Sequence, residues 1–399
     1  MKISVDKGQI KEILTRAVSG AIVKEDLEKK LLSGKILRVK FGIDPTAPDI
    51  HLGHSAPLLK LKKFQELGHK IIFIIGDFTA RIGDPTGRAE ARKPLSESEI
   101  NKNLKNYLIQ AAKIIDIKKA EIHRNGEWFK KMKAADFYRL AGQMTIQQVL
   151  KREDFKKRIE SGRDVSVTET MYPLFQGYDS VMVRADIEIG GEDQLLNLLA
   201  GRKIQRAYGQ SEQDVLTTWL IEGTDGIHKM SKSYGNYIGI TEKPEAMFGK
   251  LMSIPDSLVV KYFTALTAVP DDEIGVIELN MQSGKLNPRD AKDRLAFEIV
   301  KMYHGEKAAE KARAAFVKIF RRHEAPEKMP VITAKKGERD LIELLFKVGL
   351  AKSKSEARRY VNEGAVKIDG RPFKNYKLSI DSDFTLQVGK RRFVRIKTE

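Results

Sequence analysis

The sequence predicts an α/β protein: a domain on a parallel sheet interrupted by a helical insertion, a following helical domain, and a small C-terminal α+β module. Three observations support this. From about residue 36 to residue 215, short apolar runs alternate with amphipathic helical patterns, as in strand–helix–strand units. Helical periodicity with little strand signal continues to about residue 320. A basic segment, in which two helical patterns precede short strands, ends the chain.

Composition narrows the class of protein. The chain has 399 residues, 41% of them hydrophobic, which allows one full-sized core and one or two smaller domains. No run approaches the roughly 20 apolar residues of a membrane helix, and the start lacks the apolar core of a secretory signal. The absence of cysteine excludes disulfides, thiolate zinc sites and thiol nucleophiles. We therefore expect a soluble, cytoplasmic protein.

The first half of the chain is predicted to carry the sheet. Residues 1–35 are expected to form an N-terminal helical segment, and residues 36–238 the sheet domain, with a charged helical insertion at about 103–160. The run from Ile71 to Ile75 is apolar and mostly β-branched, which favours a central strand covered on both faces. The helix before it is expected to hold Pro57 in its first turn, where a missing N–H costs nothing.

The second half is predicted to be helical and then mixed. A helical domain is expected at 239–323. Residues 324–338 contain three prolines or glycines and no clean period, so a linker is expected there. The module at 339–399 begins with two helices, and Ser353 with Glu356 forms a capping box for the second of them.

Positive charge is concentrated in this last module. The whole chain has a formal net charge of +18, which attracts polyanions unless it only solvates a lysine-rich surface. From Arg339 to the end there are fifteen Lys or Arg against eight Asp or Glu. The basic residues grouped on the second helix and in the closing segment include Lys354, Arg358, Arg359, Arg391 and Arg392. Their distribution favours a phosphate-binding surface.

Two short motifs carry the chemistry: His51-Leu-Gly-His54, at an expected helix start, and Lys229-Met-Ser-Lys-Ser233, among turn-forming residues. Activation of a carboxylate by ATP places negative charge on the α-phosphate and on the departing pyrophosphate, and donors must be aimed at those oxygens. Imidazoles at a helix start and lysines on a mobile loop are suitable donors. Either motif alone could be a packing histidine or a surface loop, but together they predict ATP-dependent activation of a carboxylic acid.

With these motifs, the sequence resembles the class I aminoacyl-tRNA synthetases, whose two signature motifs have this order and wide separation. Three further segments narrow the resemblance to the tyrosyl-tRNA synthetase family, in particular its second bacterial subtype. They are FGIDPT at 41–46, GDPTG at 83–87, and the stretch from YPLFQGYD at 172–179 to GGEDQ at 190–194. The resemblance covers nearly the whole chain. It implies a Rossmann-like catalytic domain, a helical anticodon-region domain and a ribosomal-protein-like RNA-binding module.

The resemblance also implies an ATP site. Its catalytic groups would be Thr46, His51, His54, Lys229 and Lys232. The further ATP-binding residues would be Gly42, Asp44, Gly53, Asp193, Met230, Ser231, Ser233, Arg88 and Arg92. Thr46 and His51 would act on the γ-phosphate side, and the two lysines would close over the pyrophosphate. The two arginines are also compatible with an ordinary helix surface.

The implied tyrosine-binding residues are Asp84, Tyr172, Gln176, Asp179 and Gln194. Asp179 would accept a hydrogen bond from the phenol, and the others would hold the amino-acid end, with Asp84 at the ammonium group. Phenylalanine would leave this buried carboxylate without a hydrogen bond. Such a site can favour tyrosine over phenylalanine by a factor of about 10⁴–10⁵ in kcat/KM, far more than a missing methylene group would give. Without the resemblance, a strand-to-helix packing pair is the less favoured alternative for Tyr172 and Gln176.

One position departs from the family pattern. An ungapped count back from the histidine motif puts Lys40 where many members have a tyrosine that shares the phenol contact with the aspartate. A lysine there could hydrogen-bond to the phenol or point away from it, and both alternatives stay open.

The resemblance implies a two-step reaction. L-Tyrosine and ATP give tyrosyl-adenylate and pyrophosphate, and the tyrosyl group then passes to the 3′ end of tRNA(Tyr), which the basic module would bind. Mg²⁺ is expected to accompany ATP, held mainly by phosphate oxygens and water, with no dedicated protein metal site. A homodimer with the insertion at its interface is also implied, and no membrane partner is expected.

Three alternatives remain. A tryptophanyl-tRNA synthetase shares the motifs, but indole offers no phenol to Asp179, and the terminal module is not expected there. A smaller adenylyltransferase shares the histidine motif without needing a basic tail. A catalytically silent RNA-binding protein would not need to keep His51, His54, Lys229 and Lys232.

Overall fold

The computed structural model forms two compact units. The described residues are 3–46, 49–86, 95–320, 329–389 and 392–399. The first unit comprises Met1–Lys243 and Lys250–Tyr303, and the second comprises Pro244–Gly249 and His304–Glu399. None of the described helices is both long and apolar enough to cross a membrane. The five-part division expected from the sequence stays a prediction.

Helices account for much of both units. The helices up to the end of the predicted insertion are α1 Lys7–Thr15, α2 Lys24–Leu32, α3 Leu52–Glu66, α4 Glu97–Ala111, α5 Gly126–Phe129, α6 Ala134–Ala141, α7 Ile146–Leu150 and α8 Glu153–Glu160. They are followed by α9 Val167–Thr170, α10 Tyr172–Met182, α11 Leu195–Ala207, α12 Pro244–Leu251, α13 Val259–Leu266, α14 Asp271–Gln282, α15 Pro288–His304, α16 Glu306–Phe320, α17 Leu341–Lys347 and α18 Lys354–Asn362. Single 3₁₀ turns lie at Thr79–Arg81, Ile117–Lys119, Glu192–Gln194 and Asp256–Leu258.

A six-stranded sheet organises the first unit. Its strands are β1 Val18–Ile22, β2 Arg38–Ile43, β3 Lys70–Ile75, β4 Glu121–Arg124, β5 Ile187–Gly191 and β6 Asp214–Thr218. The order is β1-β6-β5-β2-β3-β4, and only β1 pairs antiparallel with its neighbour. The five parallel strands thus have the Rossmann order, with the switch of direction between β2 and β5. The predicted Rossmann-like parallel sheet is confirmed.

Burial explains why two interior strands of the sheet could be predicted from the sequence. Residues 71–75 of β3 are all buried, and Val39 of β2 is fully buried as well. A strand covered on both faces needs apolar side chains at every position, so it appears in the sequence as a continuous apolar run. Gly68, with φ of 97°, ends the preceding helix in the left-handed conformation.

Three short strands lie where the sequence predicted helix or linker. The N-terminal segment contains β1, the insertion segment contains β4, and the expected linker contains a strand at Val331–Ala334. Each has four or five residues, and all of these residues are exposed or only partly buried. Edge strands of this kind are held by pairing with a distant strand and therefore leave little local pattern.

The helix of the histidine motif begins at the motif, as predicted, but the expected position of Pro57 in it is wrong. It starts at Leu52, so Pro57 lies in its interior rather than in the first turn. Farther along it, Lys60 is buried, and its ammonium group donates to the carbonyls of Ile13 at 2.9 Å and Arg16 at 2.7 Å. This lysine thereby caps the end of α1.

The second unit contains a five-stranded sheet and a two-stranded ribbon. Its strands are β7 Val331–Ala334, β8 Gly337–Asp340, β9 Val366–Ile368, β10 Arg371–Pro372, β11 Lys377–Ile380, β12 Phe384–Val388 and β13 Arg392–Thr398. The larger sheet has the order β10-β9-β12-β13-β7 and shares a core with α17 and α18. Ser353 caps α18 as predicted, but Glu356 bonds to the N–H of Lys352, so only half of the capping box forms.

Candidate active site

A cavity of about 720 Å³ opens at the carboxyl ends of β2, β3, β5 and β6. This is the edge of the sheet, and the switch point, where Rossmann-like folds bind ligands. The predicted residues that line it are Gly42, Asp44, Thr46, His51, Gly53, His54, Asp84, Tyr172, Gln176, Asp179, Asp193, Gln194, Lys229, Met230, Ser231 and Ser233. Lys232 is not in the lining, and Arg88 and Arg92 lie outside the described residues.

The two motif histidines stack at the start of α3. Their ring centroids are 3.8 Å apart with an angle of 24° between the planes. The backbone N–H of His51 donates to Nδ1 of the His54 ring at 3.5 Å. Burial, the His54 ring and the two motif lysines lower the pKa of His51 to about 2, and burial with the same lysines lowers the pKa of His54 to about 4. Both rings are therefore neutral near pH 7 and serve as hydrogen-bonding groups rather than cations.

The lysines of the second motif are held by carboxylates. Nζ of Lys229 lies 3.0 Å from Oδ2 of Asp193, and Nζ of Lys232 lies 2.5 Å from Oδ2 of Asp49. Both lysine side chains are partly exposed, at 40% and 29%. Partly exposed ion pairs contribute little to stability, so phosphate oxygens can replace these carboxylates at low cost.

A buried asparagine shapes the lysine loop. Asn236 accepts from the N–H of Ser231 at 2.8 Å and donates to the carbonyls of His228 and Lys229. A Cβ atom on Gly223 would lie 2.2 Å from this side chain, so only glycine fits there. On the other side of the loop, the N–H of Gly53 donates to Sδ of Met230 at 3.4 Å, which brings the two motifs into direct contact.

Asp44 joins the strand ends to α10, the helix that carries three of the predicted tyrosine ligands. Its carboxylate accepts from Thr79 Oγ1 at 2.7 Å and from the Tyr172 hydroxyl at 3.0 Å. A Cβ atom on Gly76, directly after β3, would lie 2.0 Å from Asp44 Oδ1. Glycine at that position therefore lets the carboxylate approach the backbone.

Asp179 is a buried carboxylate in the cavity wall. Trp128 Nε1 donates to one oxygen at 2.9 Å and Asn125 Nδ2 to the other at 3.4 Å. Burial raises the pKa of Asp179 to about 7, against the lowering effects of Lys40 and these two donors. The group is thus poised between its charged and neutral forms near neutral pH.

A closed ring of side chains surrounds Asp84. Gln194 donates to Asp84 at 2.7 Å and accepts from Asn197 at 2.9 Å. Arg152 donates to Asn197 at 2.8 Å and to Thr86 at 2.8 Å, and the Thr86 hydroxyl returns to Asp84 at 2.6 Å. Arg152 is only 4% exposed. The ring orients both predicted tyrosine ligands, Asp84 and Gln194, from within the insertion.

Lys40 points away from the cavity. Its ammonium group lies 2.8 Å from Glu188 Oε1, and it donates to Ser180 Oγ and to the Gln176 carbonyl at 2.8 Å each. The side chain is fully buried and does not line the cavity.

Sequence reasoning missed several residues of the site. They are Asp49, Thr79, Asn125, Trp128, Arg152, Glu188, Asn197 and Asn236. Asn125 directly follows β4, so recognising that strand would have marked it as a polar group at a strand end. Arg152 sits in an ordinary charged helical stretch and leaves no such signal.

The basic residues of the last module differ in availability. Lys354, Arg358 and Arg359 are exposed on α18. Arg392 is less free, because it donates to the Leu350 carbonyl at 2.7 Å and stacks 4.7 Å from the centre of the Tyr360 ring. Arg391 lies outside the described residues.

Comparisons with known proteins agree with this geometry. Residues 32–321 match the profile of the tRNA synthetases class I (W and Y), and residues 322–396 match that of the "Tyrosine--tRNA ligase SYY-like C-terminal domain". A protein of Thermotoga maritima named "Tyrosine--tRNA ligase" is 49% identical over 387 residues, covering 96% of each chain. One of Carboxydothermus hydrogenoformans with the same name is 49% identical, covering 96% of this chain and 97% of its own.

A solved structure shares the fold. The C-terminally truncated mitochondrial tyrosyl-tRNA synthetase of Aspergillus nidulans superposes with a TM-score of 0.66 and 24% identity. The match covers 79% of this chain and 95% of that one.

Proposed function

The chain belongs to the class I tRNA synthetases of the tryptophan and tyrosine group, and from that membership we propose its reaction and the residues that perform it. It is an aminoacyl-tRNA synthetase that ligates L-tyrosine to tRNA(Tyr), with ATP as the second substrate. Its similarity to ligases for tyrosine extends through the C-terminal module, which favours tyrosine over tryptophan.

The buried carboxylate of Asp179 carries the choice of side chain. A carboxylate has about four acceptor positions, and two protein donors occupy two of them. A phenol O–H can supply a further hydrogen bond in the cavity, whereas phenylalanine would desolvate the carboxylate and return nothing. At the other end of the amino acid, Asp84 would bind the ammonium group, and the ring of hydrogen-bonded side chains that includes Arg152 would hold Asp84 in place.

In the first step, the tyrosine carboxylate attacks the α-phosphate of ATP and pyrophosphate leaves. The N–H groups of the neutral His51 and His54 rings would donate to phosphate oxygens. Lys229 and Lys232 would leave Asp193 and Asp49 and bind the pyrophosphate as charge develops on it. Catalysis then comes from positioning and electrostatic stabilisation, without a covalent enzyme intermediate.

In the second step, a 3′-terminal ribose hydroxyl of the tRNA attacks the tyrosyl carbonyl carbon and AMP leaves. Lys354, Arg358 and Arg359 would contact tRNA phosphates, since they are exposed and close together on α18. Reversing two of these charges in an Arg358→Glu/Arg359→Glu variant should weaken tRNA charging without changing adenylate formation. Equal loss of both activities would contradict this assignment.

Mg²⁺ enters with ATP. Its ligands are then chiefly phosphate oxygens and water, and no group of three His, Asp or Glu side chains able to hold a metal is found within the described part of the chain. We also propose a homodimer that uses the insertion, supported by the exposed apolar side chains of Tyr138, Ile146 and Ile159. A cytoplasmic location, where tRNA and ATP meet, is proposed with it.

The decisive experiment is amino-acid-dependent ATP–pyrophosphate exchange with tyrosine, phenylalanine and tryptophan in parallel. We expect exchange with tyrosine alone. Exchange with tryptophan would overturn the assignment of the pocket, and absence of exchange with all three would favour a catalytically silent RNA-binding protein.

A further inference from the structure

Lys40 and Glu188 form a buried ion pair beneath the tyrosine pocket. They lie opposite each other on the parallel neighbours β2 and β5, as register partners at the switch point of the sheet. Their side chains are 0% and 1% exposed. Two charges so far from water are tolerated only when their remaining donors and acceptors are also satisfied.

The hydrogen bonds around the pair meet that condition. The three donors of the Lys40 ammonium reach Glu188, Ser180 and the Gln176 carbonyl, each at 2.8 Å. Glu188 accepts in addition from Gln176 Nε2 at 3.1 Å, Ser180 Oγ at 3.2 Å and Gln213 Nε2 at 2.5 Å. Lys40 therefore has no donor left for a substrate.

The partners of the pair belong to the helix that presents the tyrosine ligands. Gln176 and Ser180 are four residues apart and lie on one face of α10. Gln176 is held at both its side-chain amide and its backbone carbonyl. Asp179, on the same turn, takes its direct hydrogen bonds from Trp128 and Asn125 but lies within the electrostatic reach of both Lys40 and Glu188.

We propose that Lys40 and Glu188 are a positioning pair for amino-acid recognition: they fix Gln176 and set the electrostatic environment of Asp179 from below the pocket, without touching tyrosine. This inference rests on the proposed function. In this chain, a buried salt bridge takes the place of the second phenol contact that the family pattern would put at position 40. The specificity for the phenol then depends on Asp179 and its fixed surroundings.

Charge gives the pair a signature that packing alone would not produce. The titratable groups that interact with Asp179 are Lys40 from β2, Glu188 from β5 and Tyr172 from α10 itself, and its hydrogen-bond donors are Trp128 from α5 and Asn125 just before it. Lys40 lowers the pKa of Asp179 and Glu188 raises it. Removal of the two charges one at a time should therefore shift the ionisation of Asp179 in opposite directions.

The test compares Lys40→Met and Glu188→Gln, with Lys60→Met as the matched control. Lys60 is also buried, but it caps α1 through backbone carbonyls and touches no predicted ligand. From pyrophosphate exchange at several pH values, we expect Lys40→Met to raise KM for tyrosine by about tenfold or more, with KM for ATP within about twofold of wild type. The acid limb of the pH profile of kcat/KM for tyrosine should move to higher pH, because Lys40 no longer lowers the pKa of Asp179.

Glu188→Gln is nearly isosteric and should move the same limb to lower pH. The double variant Lys40→Met/Glu188→Gln, which leaves no unpaired charge, should recover part of the loss in kcat/KM seen in Lys40→Met. Lys60→Met should lower the melting temperature without moving the limb.

The inference would be overturned if Lys40→Met behaved like Lys60→Met, or if both pocket variants moved the limb in the same direction. Tyrosine-dependent exchange by the wild-type protein distinguishes a failure of the proposed function from a failure of the positioning role of Lys40 and Glu188. Absence of tyrosine-dependent exchange in the wild type would defeat the proposed function, whereas normal wild-type exchange with an unmoved limb in Lys40→Met would defeat only this inference.

Discussion

The proposed amino-acid end and the proposed ATP end of the cavity are built in opposite ways. At the amino-acid end, Asp179, Gln176 and Asp84 are tied into networks that include the buried side chains of Lys40, Glu188 and Arg152. At the ATP end, Lys229 and Lys232 rest on partly exposed carboxylates. Discrimination between similar side chains requires fixed, desolvated groups, while pyrophosphate release requires cations that can move.

The contrast makes different kinds of residue important at each end. A rigid site loses function when a buried partner is removed, because the remaining group is left unsatisfied. A mobile site loses function mainly when the charge itself is removed, since its resting partners contribute little. Four predictions test this comparison, from the largest expected effect to the smallest.

Asp179→Ala should have the largest effect. It removes the acceptor for the phenol and leaves the Trp128 and Asn125 donors unpaired, so kcat/KM for tyrosine should fall by about 10³ or more. The preference for tyrosine over phenylalanine, measured by pyrophosphate exchange, should collapse with it. Strong rejection of phenylalanine by this variant would locate specificity elsewhere; Asp179→Asn, which keeps the shape, provides the check on folding.

Lys232→Ala should slow adenylate formation by roughly 10²–10³ in single-turnover experiments, because a charge on the departing pyrophosphate loses its partner. The affinity for tyrosine should change little. Asp49→Asn is the matched control: it frees Lys232 from its resting partner and should change the rate by about threefold or less. A large loss in Asp49→Asn would show that the ATP end is also preorganised.

Arg152→Met should raise KM for tyrosine by about tenfold, since it opens the ring that orients Asp84 and Gln194. KM for ATP should stay near the wild-type value. The control is Arg158→Met. Arg158 belongs to the same segment and forms a buried ion pair with Glu169, away from these ligands. If both variants changed KM for tyrosine equally, the ring would be only a stabilising feature of the insertion.

Lowering the pH from 8 to 6 should weaken tyrosine recognition several-fold without a matching change at the ATP end. Asp179, with a pKa of about 7, is charged above that pH and becomes protonated below it. The histidines, with pKa values of about 2 and 4, stay neutral over the whole range. The test is to measure the pH profiles of kcat/KM for tyrosine and for ATP in parallel. A fall in kcat/KM for ATP over the same pH range as that for tyrosine would contradict the prediction.

The same contrast explains what could be predicted from the sequence. The interior strand at 71–75 was predictable because burial on both faces demands a continuous apolar run, whereas the edge strands β1 and β4 were missed because distant pairing holds them. In the site, the histidine motif and the lysine motif are each a short unbroken stretch of sequence, so both were found directly. Arg152 and Glu188 lie far from the motifs in sequence, and nothing local distinguishes them.

The sequence by itself determined the fold class, the two signature motifs, sixteen of the residues that line the cavity and the reaction that they imply. These features depend on short-range patterns: the period of apolar residues, and catalytic groups that must sit within one turn or one loop. Only the tertiary structure decided that the motif histidines are neutral, that the motif lysines rest on Asp49 and Asp193, and where Lys40 points. The physical reason is that burial and partners, which set charge and orientation, come from residues distant in sequence. The lysine loop acts on the histidines, Asp49 holds Lys232, and β5 with α10 holds Lys40, and the chain brings these together only when it folds.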